Sequence, residues 1–160
     1  MGAASAAAAC GPEPMSHVGS SHAAGAEVRS VDAGKSAPKL EFLPADYGSR
    51  FVSVAQVGTS LHGVGAFEAS ILAGDDATAA ALRSGVAPGS GAVVVESLRD
   101  KRSGKPGGAL VMRREGDDWT FFALDESGGL ALDPARSPSV AADCAGCHRE
   151  APAGGLFPAR

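Results

Sequence analysis

Cys144-Ala145-Gly146-Cys147-His148, close to the C-terminal end of a 160-residue chain, is the stretch on which the fold assignment turns. Two thiols three residues apart, followed directly by an imidazole, form the attachment signal of a c-type haem. The spacing has a mechanical reason. Cysteines at i and i+3 lie on one helical turn, so each can add to one vinyl group of the same porphyrin. The histidine after the second then lies under the ring, where its Nε2 can ligate iron. Zinc and a redox disulfide are the alternatives, because Cys-x-x-Cys serves both. Zinc needs a further ligand, and the chain offers Cys10, His17, His22 or His62, all far away in sequence. The motif thus points first to one covalent haem c, with thioethers at Cys144 and Cys147 and His148 as the proximal iron ligand.

Outward from the motif, Ser137-Pro138 is a helix start with serine at the cap and proline at the first position. A helix from 138 to about 150 therefore carries the motif, and the short end that follows contains Leu156 and Phe157. Upstream the periodicity changes to that of strands. Five are expected: 51–57 (FVSVAQV), 66–73 (AFEASILA), 92–98 (AVVVESL), 109–113 (ALVMR) and 119–124 (WTFFAL). In the first, Phe51, Ser53, Ala55 and Val57 alternate with Val52, Val54 and Gln56. Between the second and third strands, Asp75 caps a helix of strong helix formers that stops at Gly85. Arg99 to Lys105 reads as a charged hairpin loop, and 125–136 as a longer one. Residues 43–47 (LPADY) open the ordered part, with Tyr47 packing inward.

Two side chains upstream of the motif carry chemistry. Glu96 interrupts an apolar run, on the same face as Val94 and Leu98. A buried carboxylate is costly unless paired, so it is either at an exposed edge or functional. His62 lies in a glycine-rich connection, where a lone histidine is more often a surface or hydrogen-bonding residue than a ligand.

The composition is that of an ordinary globular chain, 44% hydrophobic and 20% charged. A net charge of −4 argues against a nucleic-acid partner. No run reaches the ~18–20 apolar residues of a membrane span. Residues 1–40 are rich in Ala, Gly, Ser and Pro without apolar period and read as a disordered leader or tether, leaving 41–160 as the folded domain. Met15, His17 and His22 in that leader read as solvated. Small residues before Cys10 look like the cleavage box of a bacterial lipoprotein, though no Lys or Arg precedes them. Haem attachment to Cys-x-x-Cys-His normally happens outside the cytoplasm. The expectation is an exported, periplasmic protein, with a lipid anchor through Cys10 as the further expectation.

The order of parts narrows the class. An ordinary electron-carrying cytochrome c has its motif near the N-terminus and a methionine ligand downstream, but no Met or His follows His148 here. The cytochromes c′ have a C-terminal motif on long amphipathic helices, which this chain lacks. What remains is α+β: a small antiparallel sheet of about five strands with packed helices, the last bearing the haem.

That arrangement resembles the cytochrome P-460 family, which includes the cytochromes c′-β. Pro44-Ala45-Asp46-Tyr47 with Phe51-Val52 looks like the family's opening Pro-x-x-Tyr and aromatic-Val segment. Ile71-Leu72, the helix ending Arg83-Ser84-Gly85, and Gly91-Ala92-Val93-Val94-Val95 look like its strand, helix, Gly-Thr-Val strand succession. Trp119-Thr120-Phe121-Phe122 looks like its penultimate Gly-Trp-aromatic strand. Cys144 to His148 with Ala151 and Leu156-Phe157 looks like its ending. The resemblance implies a homodimer with a five-coordinate haem c, proximal His148, and a distal face open to nitric oxide, hydroxylamine or peroxide. The members that oxidise hydroxylamine cross-link a lysine to the porphyrin. Glu96 stands at that position here, and Lys101 and Lys105 fall past the strand, so no cross-link is expected. The family's distal acidic residue falls near Gly108 or Ala109.

Two functions follow as expectations. In the first, Phe67, Leu110 and Phe51 crowd an apolar distal pocket that binds nitric oxide. In the second, a haem oxidoreductase acts on hydroxylamine or peroxide with Glu96 as distal proton acceptor, its pKa raised by burial. Simple electron transfer to a redox partner protein would require a sixth ligand such as Met112.

Overall fold

The computed structural model describes residues 39–62 and 65–151. Nearly all of the expected 1–40 leader, with Cys10, His17 and His22, and the terminal Leu156 and Phe157 lie outside the described residues. The elements in chain order are α1 (Tyr47–Arg50), β1 (Val52–Thr59), β2 (Phe67–Ala73), α2 (Asp76–Arg83), β3 (Val93–Asp100), β4 (Pro106–Glu115), β5 (Asp118–Leu124), β6 (Leu130–Leu132) and α3 (Pro138–Arg149).

The six strands form one antiparallel meander, each pairing with its sequence neighbours. The α+β class is as expected, with one strand more. Leu130-Ala131-Leu132 is too short for alternation to mark it, and it is drawn into the sheet by pairing with Ala123 and Leu124. The hairpin between β3 and β4 is also tighter than charge alone suggests. Arg99 pairs with Glu68 and Pro106, and Asp100 pairs with Phe67, so both remain in the strand.

Alternation along β3 separates two cores. Val93 and Val95 face a cluster with Leu72, Ala109 and Val111, over which Phe42, Leu43, Tyr47, Phe51, Phe122 and Leu124 pack. Val95 and Val111 are wholly buried there. Burial raises the pKa of the Tyr47 phenol above its ordinary value, tempered by a hydrogen bond with Ser97. Val94 faces the other way, into a cluster with Met112 and Phe121, backed by Ile71, Leu82, Trp119, Cys144 and Ala145. The sheet is thus covered on one side by the N-terminal segment and on the other by residues of α2 and α3.

Helix α2 is set by its two ends. The Asp75 carboxylate accepts from the Thr78 N–H at 2.6 Å, the capping arrangement expected of an aspartate before a helix. At the other end Gly85 takes φ +67°. Its N–H donates to Leu82 and that of Val86 to Ala81, the paired bonds of a glycine-terminated helix. Arg83 then donates to the Ser53 carbonyl at 2.6 Å, tying the helix to β1. In α3, Ser137 is the N-cap residue but makes no side-chain capping bond, and proline supplies the start. No helix among the described residues is long and apolar enough to cross a membrane.

Candidate functional site

Between the α2/α3 side of the sheet and those helices lies a cavity of about 490 Å³, within the range of small-molecule and cofactor sites. The strands supply its floor. Ile71, Glu96 and Leu110 are direct cross-strand neighbours on β2, β3 and β4, and all three line it together with Val94, Met112 and Phe121. Helix α3 brings Cys144 and His148 to one wall, and the end of α2 brings Leu82, Arg83 and Val86 to another. From β1, both Val54 and Ala55 border it. Strict alternation would separate these two, but the pairing of β1 slips between Ser53 and Ala55. Such a bulge re-aims successive side chains.

Within this largely apolar lining, Glu96 and His62 belong to a polar network that the buried Ser60 completes from behind. The Ser60 hydroxyl, 2% exposed as a residue, donates to Glu96 Oε1 at 2.5 Å. His62 Nδ1 donates to Glu96 Oε2 at 2.8 Å. The backbone N–H of His62 in turn donates to Ser60 Oγ at 3.0 Å. The turn between β1 and β2 thereby delivers His62 over Glu96. The ring of His62 is nearly parallel to that of His148, at 10°, with centroids 6.3 Å apart. His148 is also packed against Phe121, centroids 4.9 Å apart.

These contacts reverse one electrostatic expectation. Burial does act to raise the Glu96 pKa, but hydrogen bonds from His62 and Ser60, with the electrostatic influence of the nearby His62 and His148 imidazoles, outweigh it and the net shift is downward. Glu96 is held as a carboxylate with both oxygens engaged. At Cys144 burial raises the thiol pKa, with the Asp143 charge acting in the same sense.

The other expected residues are distributed as follows. Leu110 lines the cavity. Phe51 packs in the cluster on the opposite side of the sheet, because it precedes β1 and turns toward Leu72 and Val93. Phe67 is not among the lining residues. It lies beyond Ile71 along β2, where a Cβ on Gly107 would stand 2.5 Å from its ring. Met112, 7% exposed, is a core residue at the cavity edge. Cys147 is partly exposed on α3 and forms no disulfide with Cys144. His62 and Ser60 are what a sequence reading undervalues. Nothing local distinguishes a loop histidine whose partner lies on a strand from one that faces solvent.

Of the three residues a c-type haem would use, Cys144 and His148 line the cavity and Cys147, on the same turn of α3, is not in its lining. Two apolar side chains around the cavity, Leu61 and Val86, are 76% and 58% exposed, as expected of a rim that a flat apolar group would cover. A structural zinc site needs four His or Cys side chains converging on one point. Among the described residues no three such groups, carboxylates included, stand close enough to hold a metal ion. A haem iron takes four of its ligands from the porphyrin and asks only one or two of the protein. No family model matches the chain, and neither a curated protein nor a solved structure matches it.

Proposed function

We propose that the chain is a mono-haem c-type cytochrome whose cavity takes small nitrogen-oxide ligands, nitric oxide foremost. The observation that carries this is the meeting of His148 and Cys144 with the Ser60–Glu96–His62 network in one apolar cavity. Cys144 and Cys147 would hold the haem through thioethers, and His148 would ligate its iron. Once bound, the group supplies a redox-active metal centre. The chain's own residues do the rest. Val94, Leu110, Met112 and Phe121 make the lining largely apolar, which suits a neutral diatomic ligand that needs no charge stabilisation. Arg83, which borders the cavity and has donors beyond its bond to Ser53, would offer a guanidinium to an acidic group of the bound cofactor. Export, a homodimer and a redox partner protein belong to the same proposal.

The test is expression of the full chain with c-type haem maturation, followed by a denaturing gel stained for haem and a spectral titration with nitric oxide. Wild type retains haem on the gel and Cys144→Ser/Cys147→Ser does not. Haem staining that survives the double substitution overturns the assignment.

A second reading, a haem oxidoreductase acting on hydroxylamine or peroxide, is favoured by the His62–Glu96 pair. A carboxylate that holds the Nδ1–H of an imidazole leaves Nε2 as a proton acceptor and stabilises the imidazolium. In this reading His62 accepts the substrate proton and Glu96 is a positioning residue. Turnover with hydroxylamine or peroxide that falls in His62→Ala and in Glu96→Gln would support it. Absence of turnover in wild type rejects it.

A further inference from the structure

The sequence alone places nothing opposite His148. The structure brings the His62 ring close to that of His148, with the two planes nearly parallel. Two imidazoles that bind one metal from opposite sides, each through a metal–nitrogen bond of about 2.0–2.1 Å, have ring centroids roughly 6 Å apart. His62 and His148 stand at 6.3 Å with their planes 10° apart. Both line the same cavity.

The hydrogen bonds of His62 are those of a ligand held ready. Its Nδ1–H is committed to Glu96, which leaves Nε2 as the lone-pair nitrogen. Metal-bound histidines almost always give their second nitrogen to a carboxylate or carbonyl in this way, which sets both tautomer and ring direction. Glu96 is itself fixed by Ser60, and Ser60 Oγ takes the backbone N–H of His62. The imidazole is therefore held at its ring and at its backbone. Met112, the lining side chain that the sequence offered as a sixth ligand, is packed between Val94 and Phe121.

We propose that His62 is the second axial ligand of the haem iron, opposite His148, so that the resting protein is six-coordinate and a small ligand must displace His62 to bind. This rests on the covalent haem proposed above. It replaces a vacant sixth position with an internal competitor, which lowers apparent ligand affinity and makes it depend on Glu96.

The experiment uses the full chain matured with haem, compared with His62→Ala, His62→Gln and Glu96→Gln by absorption and electron paramagnetic resonance in the ferric state. Wild type is expected to be low-spin. His62→Ala is expected to be high-spin with its haem still covalent. If that variant accumulates poorly, His62→Gln, which keeps a hydrogen-bond donor for Glu96, gives the same high-spin result. Glu96→Gln is expected to stay low-spin, with added imidazole displacing His62 at roughly 10–100-fold lower concentration, the usual effect of removing a ligand's hydrogen-bond partner. A wild type that carries covalent haem but is high-spin overturns the ligation and leaves the cytochrome standing. So does a low-spin signal that survives His62→Ala and is lost in Met112→Ala. A chain that acquires no covalent haem overturns both.

Discussion

The Nδ1 of His62 and the Oε2 of Glu96 lie 2.8 Å apart, joining the β1–β2 turn to the middle of β3. The pair is 47% and 16% exposed at its two side chains, so the carboxylate is sheltered while the imidazole reaches the cavity. This one contact converts two isolated residues into a site. It also makes the site sensitive to residues that touch no ligand.

Ser60 is the first of these. Its hydroxyl is buried and serves Glu96 and the His62 backbone at once. Ser60→Ala leaves a carboxylate oxygen short of its partner, which costs about 1–3 kcal/mol. Denaturant unfolding of the haem-loaded protein should show this loss. Its ligand-displacement curves should shift in the same direction as those of Glu96→Gln.

The cluster on the other side of the sheet should be separable from the site. Leu72 packs with Val93, Val95 and Ala109, none of which lines the cavity, and with Val111, which borders it. Leu72→Ala should lower stability by about 2–5 kcal/mol and leave the haem spectrum unchanged. A changed spectrum would show that the two faces are coupled.

Gly108 is required by its backbone. It has φ +90°, and a Cβ there would strike the carbonyl of Leu124 on the neighbouring strand. Gly108→Ala combines a left-handed conformation with a clash against backbone, so the loss should exceed the ~1 kcal/mol of an ordinary misplaced substitution. Thermal unfolding measures it. A variant as stable as wild type would refute the argument.

Asp100 provides a pH dependence. Its carboxylate accepts from the Ser103 N–H at 2.7 Å, the Ser103 hydroxyl at 2.8 Å and the Arg102 N–H at 3.0 Å. Those bonds, Ser103 foremost, lower its pKa below the ordinary 3.8. A depressed folded-state pKa means stability that is present above the unfolded value and lost as pH falls through the folded one. Asp100→Asn should therefore lower the Tm at pH 7, and the difference from wild type should narrow as pH drops below about 3.8. A gap that stays constant with pH would show that the charge does not matter there.

Much of the fold is legible along the chain because its signals are local. The Asp75 cap, the Gly85 stop and the Ser137-Pro138 start are set within a few residues, and the helices lie where these place them. Alternation in Val93 to Leu98 puts Val94 and Glu96 on one face, and both line the cavity. Where signals are weak the sequence falls short. β6 has three residues and no period of its own. β1 breaks alternation by bulges that depend on how it pairs with β2.

The sequence by itself determined the antiparallel α+β character, the C-terminal helix that carries Cys144, Cys147 and His148, and the face on which Glu96 lies. Each follows from spacing and periodicity over a few turns or one strand. Only the tertiary structure decided what Glu96 does. Burial alone would raise its pKa, and it is lowered because Ser60 and His62 arrive from another hairpin. The same event brings His62 to within 6.3 Å of His148. Contacts between residues so distant in the chain depend on the pairing of β1, β2 and β3 and on where α3 packs, and no local pattern encodes that sum.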